Sequence, residues 1–131
     1  MSNSKLDDFL NLADVSEIRE TIKETVNGKE LEFVIRPLTE EEHSEFQKRC
    51  NVYNKKKVSF DSAKYNGLVL EACIVEPCFS NEDFLKKAKC ISAIEFMNKK
   101  FPAGTLTDIA QKIEELSGFE SYEVEIENAK N

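Results

Sequence analysis

The chain has 131 residues, 40% hydrophobic and 33% charged, with a net charge of −7. A chain of this size forms one domain and buries roughly two-thirds of its unfolded surface without staples. The negative balance argues against nucleic acid, whose recognition rests on basic patches that displace counterions, and no apolar run reaches the ~18 residues that mark a membrane span. The opening Met-Ser-Asn-Ser-Lys lacks the apolar core of a signal peptide, so the expected location is cytoplasmic. Lys55-Lys56-Lys57 and Lys86-Lys87 with Lys89 are local basic clusters without interleaved aromatics, and read as solvated faces. Cys50, Cys73, Cys78 and Cys90 form no Cys-x-x-Cys pair, and His43 is the only imidazole. Zinc needs closely spaced ligand pairs, so neither a metal nor a cofactor is expected.

In chain order, residues 4–13 predict a short helix. Leu6, Phe9, Leu10 and Ala13 make a single apolar stripe, and Ser4 with Asp7 makes a box-like cap. Such a helix is marginal alone and must dock on the core or on a partner. Residues 18–26 and 29–36 predict an antiparallel hairpin about Asn27-Gly28, the strongest two-residue turn signal. That turn sets Val26 opposite Lys29, Lys23 opposite Glu32 and Ile22 opposite Phe33. Leu31 and Ile35 then share the apolar face of the second strand. A lone hairpin is unstable in water, so this face must cover the helices or meet strands of other copies.

Pro37 stops the strand, and Thr39 with Glu42 predicts a capping box at the start of a helix whose acidic first turn suits the helix dipole. That helix is expected to carry Phe46, Cys50 and Tyr53 inward, with Lys55-Lys56-Lys57 at its C-terminal end. Asp61 or Ser62 starts a central helix bearing Tyr65, Leu68, Val69, Ala72, Cys73 and Val75, ended by Pro77. Ser80 is expected to cap a short helix that buries Phe84, Leu85 and Ala88, with a break near Lys89-Cys90. Ile91, Ile94, Met97 and Phe101 form a further stripe up to Pro102. The last helix runs over 103–117 with Leu106, Ile109, Ala110, Ile113 and Leu116 on one face, and Gly118 suits the left-handed position just past its end. Residues 119–131 read as an acidic tail, or as a strand that pairs only in a complex, because Val124 and Ile126 alternate with glutamates. The fold expected is mainly α with one N-terminal antiparallel β-hairpin, an α+β domain over 1–118. It comprises the short helix 4–13, the hairpin 18–36 and a helical part 39–118, with about four to six helices in all.

Chemistry is hard to find. Catalysis needs groups of tuned pKa held in a pocket. His43 falls in the first turn of a capped helix and is expected to be exposed. No Gly-x-Ser-x-Gly elbow, His-Glu-x-x-His or phosphate-cradling glycine loop occurs. A binding module is expected rather than an enzyme, with no catalytic residues.

The order of the segments resembles the tail assembly chaperones of long-tailed phages and prophages, especially the type of Gram-positive, defective-prophage-like elements. The elements that carry the resemblance are Leu6 to Leu10, then Phe33-Val34-Ile35-Arg36-Pro37-Leu38-Thr39 leading into an acidic helix, then Leu68 to Pro77. Asn81-Glu82-Asp83-Phe84-Leu85 and Phe101-Pro102-Ala103-Gly104-Thr105-Leu106 running to Phe119 complete it. Gly104-Thr105 stands where the family often has Gly-Glu, and Cys78 where it often has an acidic residue. The resemblance implies a non-catalytic factor of virion assembly in the bacterial host cytosol. Such a factor binds the tape measure protein, a long, helix-rich, aggregation-prone chain, keeps it soluble and brings tail tube protein to it. The family often also makes a longer product by ribosomal frameshifting near the end of this reading frame. An amphipathic surface can cover an apolar helix, and a strong negative charge keeps the loaded complex in solution. The expected partner contacts are Leu6, Phe9 and Leu10 on the first helix and Leu106, Ile109 and Ile113 on the last. Free hairpin edges also lend themselves to self-association. Two rival readings are a structural tail or head-completion subunit kept in the virion, and a small adaptor or regulator unrelated to phage.

Overall fold

Asn27 and Gly28 take φ of 52° and 79°, the left-handed pair that a two-residue hairpin turn requires. In the computed structural model, which describes residues 4–119, they join β1 (Glu20–Val26) to β2 (Lys29–Ile35). The register is the one the turn demands, with Val26 opposite Lys29, Lys23 opposite Glu32 and Ile22 opposite Phe33. Ile22, Phe33 and Ile35 are buried against the helices. Gly28→Ala puts a side chain at a positive φ and is expected to cost about 1 kcal/mol, read as a lower urea midpoint at unchanged slope.

Helix α1 (Ser4–Leu10) is shorter than the 4–13 expected, and is followed by a 3₁₀ turn over Val15–Glu17. Helix α2 (Glu40–Cys50) has the full capping box: Thr39 accepts from the Glu42 N–H, and the Glu42 carboxylate accepts from the Thr39 N–H. It stops at Cys50, earlier than expected. Residues 51–60 form a second hairpin, β3 (Asn51–Asn54) and β4 (Lys57–Phe60), turning at Lys55 with a φ of 36°. The three lysines are therefore at a β-turn rather than a helix end, and Tyr53 points outward rather than into the core. Val52, Tyr53, Val58 and Phe60 are β-branched or aromatic, the residue types that pack on a pleated surface.

Helix α3 (Ser62–Cys73), capped by Asp61, ends before Pro77, because Ile74–Glu76 leave it as strand β5. This strand pairs antiparallel with β2, Ile35 opposite Ile74, and gives a three-stranded sheet of order β1-β2-β5. Two local causes support it: Ile74 and Val75 are β-branched, and a residue before proline is pushed out of the helical region. Helix α4 (Glu82–Ala88) is capped by Asn81, not Ser80. Lys89 takes a left-handed φ of 57° where the break was expected. Helix α5 (Ala93–Lys100) is capped by Ser92, which leaves Ile91 exposed outside the helix.

Helix α6 (Ala103–Leu116) closes with Gly118 at φ 95°. The Gly118 N–H donates to the Glu115 carbonyl and the Phe119 N–H to the Glu114 carbonyl, the paired bonds of a Schellman ending. The Leu38 N–H donates to Ser117 Oγ at 2.8 Å, tying this end to the β2–α2 connection. Val69, Cys73, Met97, Ile109 and Ile113 from α3, α5 and α6 meet Phe33 and Ile35 from the sheet in one core. Past Phe119 the expected acidic tail lies outside the described residues.

Candidate functional site

Five of the chain's nine phenylalanines gather at one place. Phe33 comes from β2, Phe79 from the link after Pro77, Phe84 from α4, Phe96 from α5 and Phe101 from the α5–α6 link. The Phe84 and Phe96 rings lie 4.7 Å apart edge to face, Phe79 and Phe96 stack at 5.5 Å, and Phe33 sits 6.0 Å from Phe101. Phe33 and Phe79 are buried, while Phe84, Phe96 and Phe101 are half-buried and face a groove of about 580 Å³. Val26, Leu31 and Pro77 extend its apolar lining, and Lys29, Glu32 and Lys100 are its charged residues. The groove has one carboxyl and no imidazole or thiol among these residues. It is shaped to hold apolar side chains, which aromatic walls contact over a large area at low entropy cost.

The second apolar feature is α1. Leu6, Phe9 and Leu10 are 59%, 68% and 81% exposed, and Leu12 after them is exposed as well. Of the three expected contacts on the last helix, Ile109 and Ile113 are fully enclosed in the core and touch this chain's own elements. Leu106 is half-buried and lines a shallow cavity with Ala63, Gly67 and Ile94. The helical stripe of α6 thus belongs to the core; that of α1 does not.

His43 is half-buried rather than exposed. Its Nδ1 shares a 2.8 Å hydrogen bond with the Tyr65 hydroxyl, and its ring packs 4.9 Å from Phe119. Burial pushes the Tyr65 hydroxyl up to about 12 and raises the Glu114 carboxyl, against the opposing pull of His43. The imidazole clamps α2 to α3 and to the end of α6. Arg36 grips both oxygens of Glu42 at 2.8 and 2.7 Å, and that hydrogen-bonded pairing holds the Glu42 carboxyl down to about 2. Cys50 and Cys73 are buried, and desolvation pushes the Cys73 thiol up to about 12, which leaves it an inert packing group. Among the described residues no cluster of three His, Cys, Asp or Glu side chains could hold a metal ion, and no helix is long and apolar enough to cross a membrane.

A family model described as phage XkdN-like tail assembly chaperone protein matches residues 6–130, nearly the whole sequence. The chain belongs to this family. Its fold is similar to the crystal structure of the protein YqbN, at a TM-score of 0.58 and 17% identity, covering 78% of this chain and 87% of that one. No curated protein matches it. In a phage tail assembly chaperone, uncovered apolar surface is the feature that needs explaining, and the aromatic groove and the α1 stripe are two places that hold it, beside Tyr53 and Val58 on the β3–β4 hairpin. The groove escaped sequence reading because its rings come from five different elements. Phe33 reads as a strand residue and Phe84 and Phe101 as parts of separate helical stripes, each as core of its own segment, and only the assembled fold brings them together.

Proposed function

We propose that this chaperone binds the tape measure protein, keeps it soluble in the host cytoplasm and helps to recruit tail tube subunits to it, without catalysing a reaction. The observation that carries the reading is the α1 stripe. Leu6, Phe9 and Leu10 stand on a seven-residue helix that leaves them in water. A helix that short gains most of its stability from packing, and a long helical cargo offers apolar faces on which it can dock. The aromatic groove supplies a second apolar surface for the same cargo, and the net charge of −7 favours solubility of the loaded complex.

Co-expression with a helical fragment of the tape measure protein tests this. The fragment is expected to move to the soluble fraction and to co-purify with the chain. Leu6→Asp with Phe9→Asp is expected to weaken that complex at least ten-fold, about 1.4 kcal/mol, while the unfolding midpoint of the free protein stays put. Unchanged solubility with no co-purification would overturn the reading. So would finding the chain by mass spectrometry in purified tails, the behaviour of a structural subunit.

A further inference from the structure

Two exposed features of this chain match each other. The α1 stripe sets Leu6, Phe9 and Leu10 at positions i, i+3 and i+4, all three in water, the spacing with which a helix lays its anchors into a groove. The aromatic groove has walls for such anchors, with the Phe84, Phe96 and Phe101 rings half-buried and facing its space. No α1 residue lines the groove of its own chain.

The charges match as well. The groove carries two cations, Lys29 and Lys100, and one carboxylate, Glu32. Helix α1 carries the opposite set, the carboxylates Asp7 and Asp8 and the cation Lys5. All of these side chains are exposed, and none is in an ion pair among the described residues. At about 3.6 residues per turn, Asp7 and Lys5 flank the apolar stripe on its two sides, where charges beside a groove can meet them. Opposite charges across a contact fix its orientation and reject other partners.

We propose that α1 of one copy seats Leu6, Phe9 and Leu10 in the aromatic groove of a second copy of this chain. Every copy brings both halves of the contact. The inference concerns the free chain and stands apart from the cargo it carries. A seven-residue helix covers less than the about 1,200 Å² at which stable interfaces begin. The chain is therefore a monomer in dilute solution, where Leu6→Asp with Phe9→Asp leaves the unfolding midpoint in place, and it pairs as the concentration rises.

Sedimentation equilibrium of the full-length chain tests it. The mean mass is expected to rise above that of one chain between about 1 μM and 1 mM. A mass that stays at one chain throughout would overturn the proposal. Leu6→Asp with Phe9→Asp removes the anchors, and Lys29→Glu with Lys100→Glu reverses the groove's cations. Each pair of changes is expected to weaken self-association at least ten-fold, and parent-like association of either variant would overturn the proposal. Mixed in equal amounts, the two variants supply one intact α1 and one intact groove. The mixture is expected to associate more tightly than either variant alone. A mixture no tighter than its components would overturn the pairing in favour of a contact of α1 with α1.

Discussion

Phe33→Ala is expected to lower the free energy of unfolding by about 4 kcal/mol, the usual range for truncating a fully buried aromatic ring. Phe33 is 2% exposed at the middle of β2, where it touches the Phe79 and Phe101 rings at 6.3 and 6.0 Å. It faces Ile22 across the hairpin and belongs to the same core as Val69, Met97 and Ile109. Removing it leaves a void at the junction of sheet and helices, and it also takes away the floor of the aromatic groove. Domains of this size have total stabilities of about 5–15 kcal/mol, so the variant should unfold at a far lower urea concentration. A loss below about 1 kcal/mol would mean that Phe33 is not the packing centre described.

The second expected result concerns Glu42→Gln. Glutamine keeps an oxygen that can accept from Thr39 in the capping box, but it removes the charge that Arg36 grips with two hydrogen bonds. Side-chain exposures of 17% for Arg36 and 24% for Glu42 leave the pair only partly solvated. The variant is expected to lose about 2 kcal/mol at pH 7, less than a fully buried pair would cost, because water still reaches the site. The pH dependence follows from the depressed carboxyl. Glu42 titrates near 4.5 when unfolded and about 2 when folded, so its contribution is complete above about pH 5 and fades as the pH falls toward 2. The stability difference between parent and variant should therefore be flat from pH 7 to 5 and shrink toward zero in acid. A difference that stays constant down to pH 2 would show that the ion pair is not its source.

Local chemistry was legible in the sequence, and non-local pairing was not. Asn27-Gly28 fixes its own backbone and thereby seven strand pairs, so the first hairpin could be written out residue by residue. Thr39 and Glu42, and Gly118 at the end of α6, act over three or four residues and were equally readable. Strand β5 is three residues long, and its partner β2 lies some forty residues away. Its two β-branched residues and the following Pro77 mark where the helix must stop, but not that the residues pair with β2. The β3–β4 arm was hidden because Lys55-Lys56-Lys57 suits a helix C-terminus as well as a turn. At the candidate site the α1 stripe could be read, but not whether it was spare: Leu6 and Ile109 sit in equally good helical patterns, and one is in water and the other sealed. Periodicity says that a face is apolar; only the assembled fold says what already covers it.

Val15, Ile18 and Phe119 line a single cavity of about 270 Å³. The segment that leads into β1 and the residue that closes α6 therefore share one wall, so a change that loosens either end of the described fold loosens the other.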